Sequence, residues 1–173
     1  MKRFFGIAAL AVIMIFLGHS VEAQNMKFGH INSDELIRSM PEYDSAMAKL
    51  ERARKEIVST LEIMQVEFNN KYEAYNKDVK NFTDLVRQTK EQELADLQNR
   101  IQEFQQNGQA KLQEEQTNLT QPIFTKVDKA IKDVGKEGGF IYVFDVAKGQ
   151  LLYFDDTKSV NILTLVKTKL GVK

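Results

Sequence analysis

The chain has 173 residues, 24 basic and 24 acidic side chains, and no cysteine. Its length sets a single domain, or one compact domain with an elongated extension. The balanced charge argues against a dedicated nucleic-acid binder, which carries a basic excess. Without disulfides, an exported chain must draw its stability from packing or assembly.

Residues 1–23, MKRFFGIAALAVIMIFLGHSVEA, have the three parts of a secretory signal. Lys2 and Arg3 form the basic start, Phe4 to Gly18 an apolar run, and Val21-Glu22-Ala23 a small-x-small cleavage site. An uncleaved anchor is the alternative, but the run falls short of the roughly 20 residues that a span needs. Cleavage after Ala23 is expected. It removes Lys2, Arg3 and Glu22, leaving 22 basic and 23 acidic side chains and a net charge of −1. No acyl-anchor cysteine stands near the site, so the mature protein is expected to be soluble and periplasmic.

Residues 24–40 read as the first part of a body. Met26 to Ile31 is a plausible strand, and NSDELIRS a short helix capped by Asn32, with Glu35 reaching back. Ser39 and Glu42 match a second capping box, with Pro41 in the first turn of a long helix. From there to Val134 the only breakers are Gly108 and Pro122, a strong helical signal. Met47, Leu61, Phe68, Tyr75 and Phe82 form one seven-residue series. Leu50, Ile57 and Met64 form its companion, which slips by one place to Tyr72, Val79 and Val86. Such a seam is coiled-coil-like near Met47 and looser outward.

The apolar periodicity lapses in DLVRQTKEQE (84–93), where Thr89 and Gln92 match a further capping box. A second run follows with Leu94, Leu97, Ile101 and Phe104, then Leu112, Leu119, Ile123, Val127, Ile131 and Val134. Residues 41–137 are therefore expected to form a helical hairpin with its tip near 84–93. Its two antiparallel helices would have about 47 residues and 70 Å each, kinked at Pro122. A single rod of about 140 Å is the competing arrangement.

Residues 138–173 read as the second part of the body. Phe140–Asp145 and Leu151–Phe154 are predicted strands of a β-hairpin turning at Gly149, followed by a helix capped at Ser159. Phe140, Tyr142 and Phe144 would line one face of the hairpin, Ile141 and Val143 the other. The last helix, carrying Ile162, Leu163, Val166 and Leu170, covers only one of these faces. A body of about 60 residues is too small to stand comfortably alone. Self-association through Phe28, Ile31, Phe140, Ile141, Tyr142, Val143, Phe144, Leu151, Leu152 and Tyr153 is therefore expected, closing strands into a shared sheet or barrel and hiding their edges. The fold class is α+β, mainly α.

Few residues invite chemistry. His30 is the only histidine of the mature chain, and a metal site or triad would need partners that the sequence does not show. Asp155-Asp156 reads as a solvated turn, and GKEGG at Gly135 lacks the spacing of a phosphate loop. No enzyme activity, cofactor or metal is expected. Phe68, Tyr72, Tyr75, Phe82 and Phe104 could be a wall that contacts a bound partner, or simply the seam between two helices. The glutamine-rich segment reads as a solvated helix face or a low-charge lining. Gly108 is either a flex point or a tolerated surface glycine. Lys80, Arg87, Lys90 and Arg100 are candidate arm-tip charges, offset by Asp84, Glu91, Glu93 and Asp96.

KFGHINSDELIRSMPEY (27–43), QPIFTKVDKAIKDVGKEGG (121–139) and FIYVFDVAKGQLLYFDDTKSVNILTLVKTKL (140–170) together resemble the ends of Skp/OmpH family periplasmic chaperones, with the coiled arms between them. The resemblance implies a homotrimer with an intersubunit β-barrel and three helical tentacles around a cavity. It also implies an ATP-independent holdase that keeps unfolded outer-membrane β-barrel proteins from aggregating before insertion. The well-known members are strongly basic and this mature chain is near neutral, so attraction to lipopolysaccharide or anionic lipid is not implied. An exported coiled-coil spacer, oligomerised through its β-body, is the alternative function.

Overall fold

The computed structural model describes residues 26–149 and 151–172; the expected signal sequence lies outside the described residues. In chain order come β1 (Lys27–Ile31), α1 (Ser33–Arg38), α2 (Pro41–Asp78), a 3-10 turn (Val79–Asn81), α3 (Asp84–Glu137), β2 (Phe140–Asp145), β3 (Ser159–Asn161) and α4 (Leu163–Leu170).

α1 starts as expected, with the Asn32 side chain accepting from Glu35 N–H at 3.0 Å. Ser39 does not cap α2. Its hydroxyl donates back to the Leu36 carbonyl at 2.7 Å, closing α1, while Met40 takes the N-cap position with no side-chain bond. Burial decides this: Met40 is fully enclosed in the core, and Pro41 needs no partner for the N–H it lacks.

The hairpin exists, but its tip comes earlier than the sequence suggests. α2 ends at Asp78, and Thr83 caps α3 by accepting from Val86 N–H at 3.3 Å. Thr89 lies inside α3 and donates to the Leu85 carbonyl, so its capping box is not used. The helices have 38 and 54 residues, about 57 and 81 Å. They are unequal because the last turns of α3, from Ile123 to Val134, belong to the body core. α3 runs through Pro122, whose missing N–H leaves the Asn118 carbonyl without its helical donor.

The C-terminal β-hairpin does not form. Leu151–Phe154 is not a strand among the described residues, and the three strands make one sheet in the order β2-β1-β3, both neighbours parallel to β1. Gly149 does turn with φ +63°. Beyond the turn, Phe154 rests against His30 at 4.7 Å between ring centroids, and the chain then pairs Ser159–Asn161 with the far edge of β1. Strand propensity at 151–154 was a poor guide because burial fixes the pairing. Ile162 bonds through its N–H to the His30 carbonyl and is completely enclosed, a position open to it only when β3 lies beside β1. Ser159 is consequently a strand residue, and α4 has Ile162 at its N-cap.

Parallel strands need a crossover. Between β1 and β2 that crossover is the entire arm. The core gathers where its roots meet the sheet: Ile31, Leu36, Met40 and Ala46 pack with Ile123, Val127, Ala130 and Val134 of α3 and with Ile162 and Val166. Gly29 keeps β1 close to this core, since a Cβ there would stand 3.1 Å from the Phe140 ring and 3.3 Å from Ile162 Cγ2.

Candidate functional site

Among the described residues two surfaces carry most of the exposed apolar side chains: the outer face of the sheet and the length of the arm.

The register shift between Lys27 and Phe28 opposite β2 breaks the alternation expected along β2, as a bulge does. Phe140 and Val143 both pack on the core, whereas Tyr142 (61% exposed) and Phe144 turn outward with Ile141. Phe28 stacks on Tyr142 and Tyr142 on Phe144, at 6.4 and 5.9 Å. Leu152 (100% exposed) and Tyr153 (80%) project from the segment after Gly149. The ten expected assembly residues thus divide. Ile31, Phe140 and Val143 serve the protomer's own core, Phe28 and Leu151 are half-buried, and Ile141, Tyr142, Phe144, Leu152 and Tyr153 are the exposed apolar residues of the set. Val160, Met26 and Leu165 add to the exposed apolar residues of the body. Val160 was missed because Ser159 looked like a helix cap.

Polar contacts fasten the sheet. The Asp145 carboxylate accepts from Ser33 Oγ at 2.5 Å, Ser33 N–H at 3.2 Å and Ala147 N–H at 3.1 Å, joining β2 to the first turn of α1. Burial would raise its pKa, but these hydrogen bonds, with Lys148 nearby, outweigh burial and hold the carboxyl below its ordinary value. His30 Nδ1 lies 2.9 Å from Ser159 Oγ, a contact between β1 and β3.

The arm is thin. Of its residues between Met47 and Leu119, only Leu97 and Gly108 are buried. Phe68, Tyr75, Phe82 and Phe104 are half-buried, as seam residues are, and only Tyr72 of that set stands out, at 50% exposure. Tyr72 stacks on Phe68, and Tyr75 packs on Phe82 at the tip. Val86, expected in the seam, is exposed, together with Val58, Ile63, Val66 and Leu85. No periodic signal marked the last four, because they sit off the seam.

Three cross-helix contacts set the antiparallel register: Glu42 with Lys126 at 2.5 Å, Gly108 against Ile57, and Tyr75 OH to Glu91 at 2.5 Å. Gly108 is buried and so is not a surface glycine. A Cβ there would meet Ile57 Cγ2 at 2.8 Å, so the glycine is what lets the helices touch. Of the expected tip charges, Arg87 pairs with Asp84 and Lys90 with Glu93. Lys80 is at the tip and exposed. Arg100 is not a tip residue, since it lies sixteen positions into α3, about 24 Å along the arm.

Among the described residues no helix is long and apolar enough to cross a membrane. No curated protein matches the sequence. Among solved structures, a candidate outer membrane chaperone (OmpH-like) from Caulobacter crescentus CB15 shares the fold. Its TM-score is 0.71 at 12% identity, over 84% of this chain and 83% of that one. The family described as Outer membrane protein (OmpH-like) matches residues 27–170, the whole span from β1 to the last residue of α4. The chain belongs to the OmpH-like family.

Proposed function

We propose that this protein is an ATP-independent holdase of the periplasm, exported and cleaved after Ala23. It assembles as a trimer through its outer sheet face and cages unfolded outer-membrane β-barrel proteins among its arms until they insert. The observation that carries this reading is the union of two unlike parts in one chain. One is a small body with an uncovered aromatic face. The other is a long arm with almost no interior of its own. Membership of the OmpH-like family and the fold shared with the Caulobacter protein support the chaperone role.

Burying a large apolar side chain contributes roughly 1.5–3 kcal/mol. Ile141, Tyr142, Phe144, Leu152 and Tyr153 are 37–100% exposed, so covering them fully offers about 5–10 kcal/mol, against an association cost of about 4–15 kcal/mol. Assembly is favourable only if nearly all of them are covered, which a closed ring of copies does and a glancing contact does not. Several arms around one client then act through effective concentration, each contact weak and quickly broken. The client leaves when it folds into the membrane, because a folded barrel no longer offers its apolar faces to the arms.

The test is dilution of a urea-unfolded outer-membrane protein into buffer containing the mature chain and no nucleotide. Suppressed turbidity, with light scattering at three times the protomer mass, is the expected result. Full aggregation at excess protein would end the holdase reading, and a stable monomer would end the assembly.

A further inference from the structure

Near the tip the two helices of the arm do not close on each other completely. A recess of about 240 Å³ opens between them. Its apolar lining is Ala74 and Tyr75 of α2, Phe82 of the turn and Leu94 of α3. Its charged lining is Lys71, Asp78, Lys90 and Glu93. Ala74 contributes only a methyl, which leaves room beside its longer neighbours. Tyr75 is anchored by its hydroxyl, which donates to Glu91 at 2.5 Å. Its ring lies 6.0 Å from that of Phe82, tilted by 52°. Lys90 is held by Glu93 at 2.9 Å and Lys71 by Glu67 at 3.7 Å, and both lysine side chains stay close to half exposed.

Size and charge restrict the guest. Sites for drug-sized molecules occupy about 300–1,000 Å³, more than is present here, while a cavity of about 150 Å³ already accepts benzene. The space suits one ring and its stem. The lining carries two ammonium groups and two carboxylates, so it has no net charge to draw in an ion, and an ionic guest would compete with the pairs already made. A neutral aromatic ring competes with none of them. Its π face attracts ammonium groups, and its edge and face suit the tilted rings of Tyr75 and Phe82. An aliphatic side chain gains neither contact.

We propose that the tip recess is a binding site for one aromatic side chain of an unfolded polypeptide; this rests on the holdase reading above. Outer-membrane β-barrels carry girdles of aromatic residues at both membrane interfaces, and in the unfolded chain those rings are open to capture. Insertion carries them into the bilayer interface and takes the ligand from the recess. One ring per arm is a weak hold, and several arms on one client multiply it.

The experiment titrates the mature chain into a capped Gly-Trp-Gly peptide and follows tryptophan anisotropy, which reports the probe alone because the chain has no tryptophan. Capped Gly-Phe-Gly and Gly-Leu-Gly then compete. Ala74→Leu fills the recess and keeps the other lining residues. Ala48→Leu adds the same side chain at another exposed position of α2, about 39 Å away. Both sites tolerate leucine in a helix, and circular dichroism checks the fold. The leucine peptide is expected to need at least about fivefold more than the phenylalanine peptide to displace the probe. Ala74→Leu should weaken probe binding by at least about fivefold, and Ala48→Leu should match the wild type. No binding by the wild type, equal competition by the leucine peptide, unchanged binding by Ala74→Leu or equal loss in Ala48→Leu overturns the proposal. Peptide binding is read without any client. A failed dilution assay therefore strikes the holdase reading and leaves the recess an aromatic site, whereas protection without peptide binding strikes the recess alone.

Discussion

Gly108 offers a sharp test of the arm. If it were a tolerated surface glycine, replacing it with alanine would stabilise α3 by about 1 kcal/mol through helix propensity. In the seam, the new methyl would stand 2.8 Å from Ile57 Cγ2, well inside contact. Ile57 cannot swing clear cheaply, because a β-branched side chain in a helix has one strongly preferred χ1. Overpacking of this kind costs about 1–3 kcal/mol. Set against the propensity gain, Gly108→Ala should be between neutral and about 2 kcal/mol destabilising. The coupling is more telling than the single value. With Ile57→Ala in place the obstacle is gone, and Gly108→Ala should then stabilise by about 1 kcal/mol. The effect of the same substitution thus differs between the two backgrounds by about 1–3 kcal/mol. Urea unfolding followed at 222 nm, at one fixed protein concentration because assembly shifts apparent stability, gives all four corners of the cycle. An additive cycle, or stabilisation by Gly108→Ala alone, would refute the close approach of the helices.

Asp145 should give the fold an acid limb. Its folded pKa is depressed, so its contribution is complete above the ordinary carboxylate value of about 4 and is lost as pH falls through the folded value. Asp145→Ala should cost about 1.5–3 kcal/mol at pH 7, with the gap to wild type closing as pH falls below the ordinary carboxylate range in a pH series of urea melts; a gap independent of pH would be contrary to this. At the tip, Thr83→Ala should cost about 1 kcal/mol as a lost N-cap, whereas Thr89→Ala should be near neutral by thermal melts, and the reverse order would return the helix start to Thr89.

Periodicity and caps carried a large part of the fold. The scarcity of breakers from Pro41 to Val134, together with the seven-residue apolar series, pointed to two antiparallel helices, with only the turn between them set a few residues too late. Asn32 gave the start of α1. What failed was decided by contacts far apart in sequence. Ser39 satisfies a capping motif locally, but enclosure of Met40 claims the cap position. Thr89 and Thr83 both look like caps, and the turn KNFT, without glycine, gives no louder signal than the polar stretch after it. Leu151–Phe154 has every local mark of a strand; Ser159–Asn161 has few and is one, because its neighbour Ile162 reaches the core. In the arm, the aromatics announced themselves as candidates for client contact, yet most fill the seam. The run of glutamines on α3 was legible all along, and those residues are exposed from Gln98 to Gln116.

The topology explains how one chain holds such different halves. Both roots of the arm enter the core between parallel strands, and a parallel pair demands a long connection whatever it contains. The sheet therefore needs only the base of the arm, from Met40 to Ala46 and from Ile123 to Val134. The remainder is free of any duty to the body's stability. That freedom lets the outer arm get by with two buried residues, Leu97 and Gly108, and a half-wet seam. A thicker arm would bury its aromatics fully and become rigid, while one without the Gly108–Ile57 contact would lose its register. Between these limits lies a hairpin with a fixed register and little apolar surface at any one point, which suits the many weak contacts of the proposed holdase role.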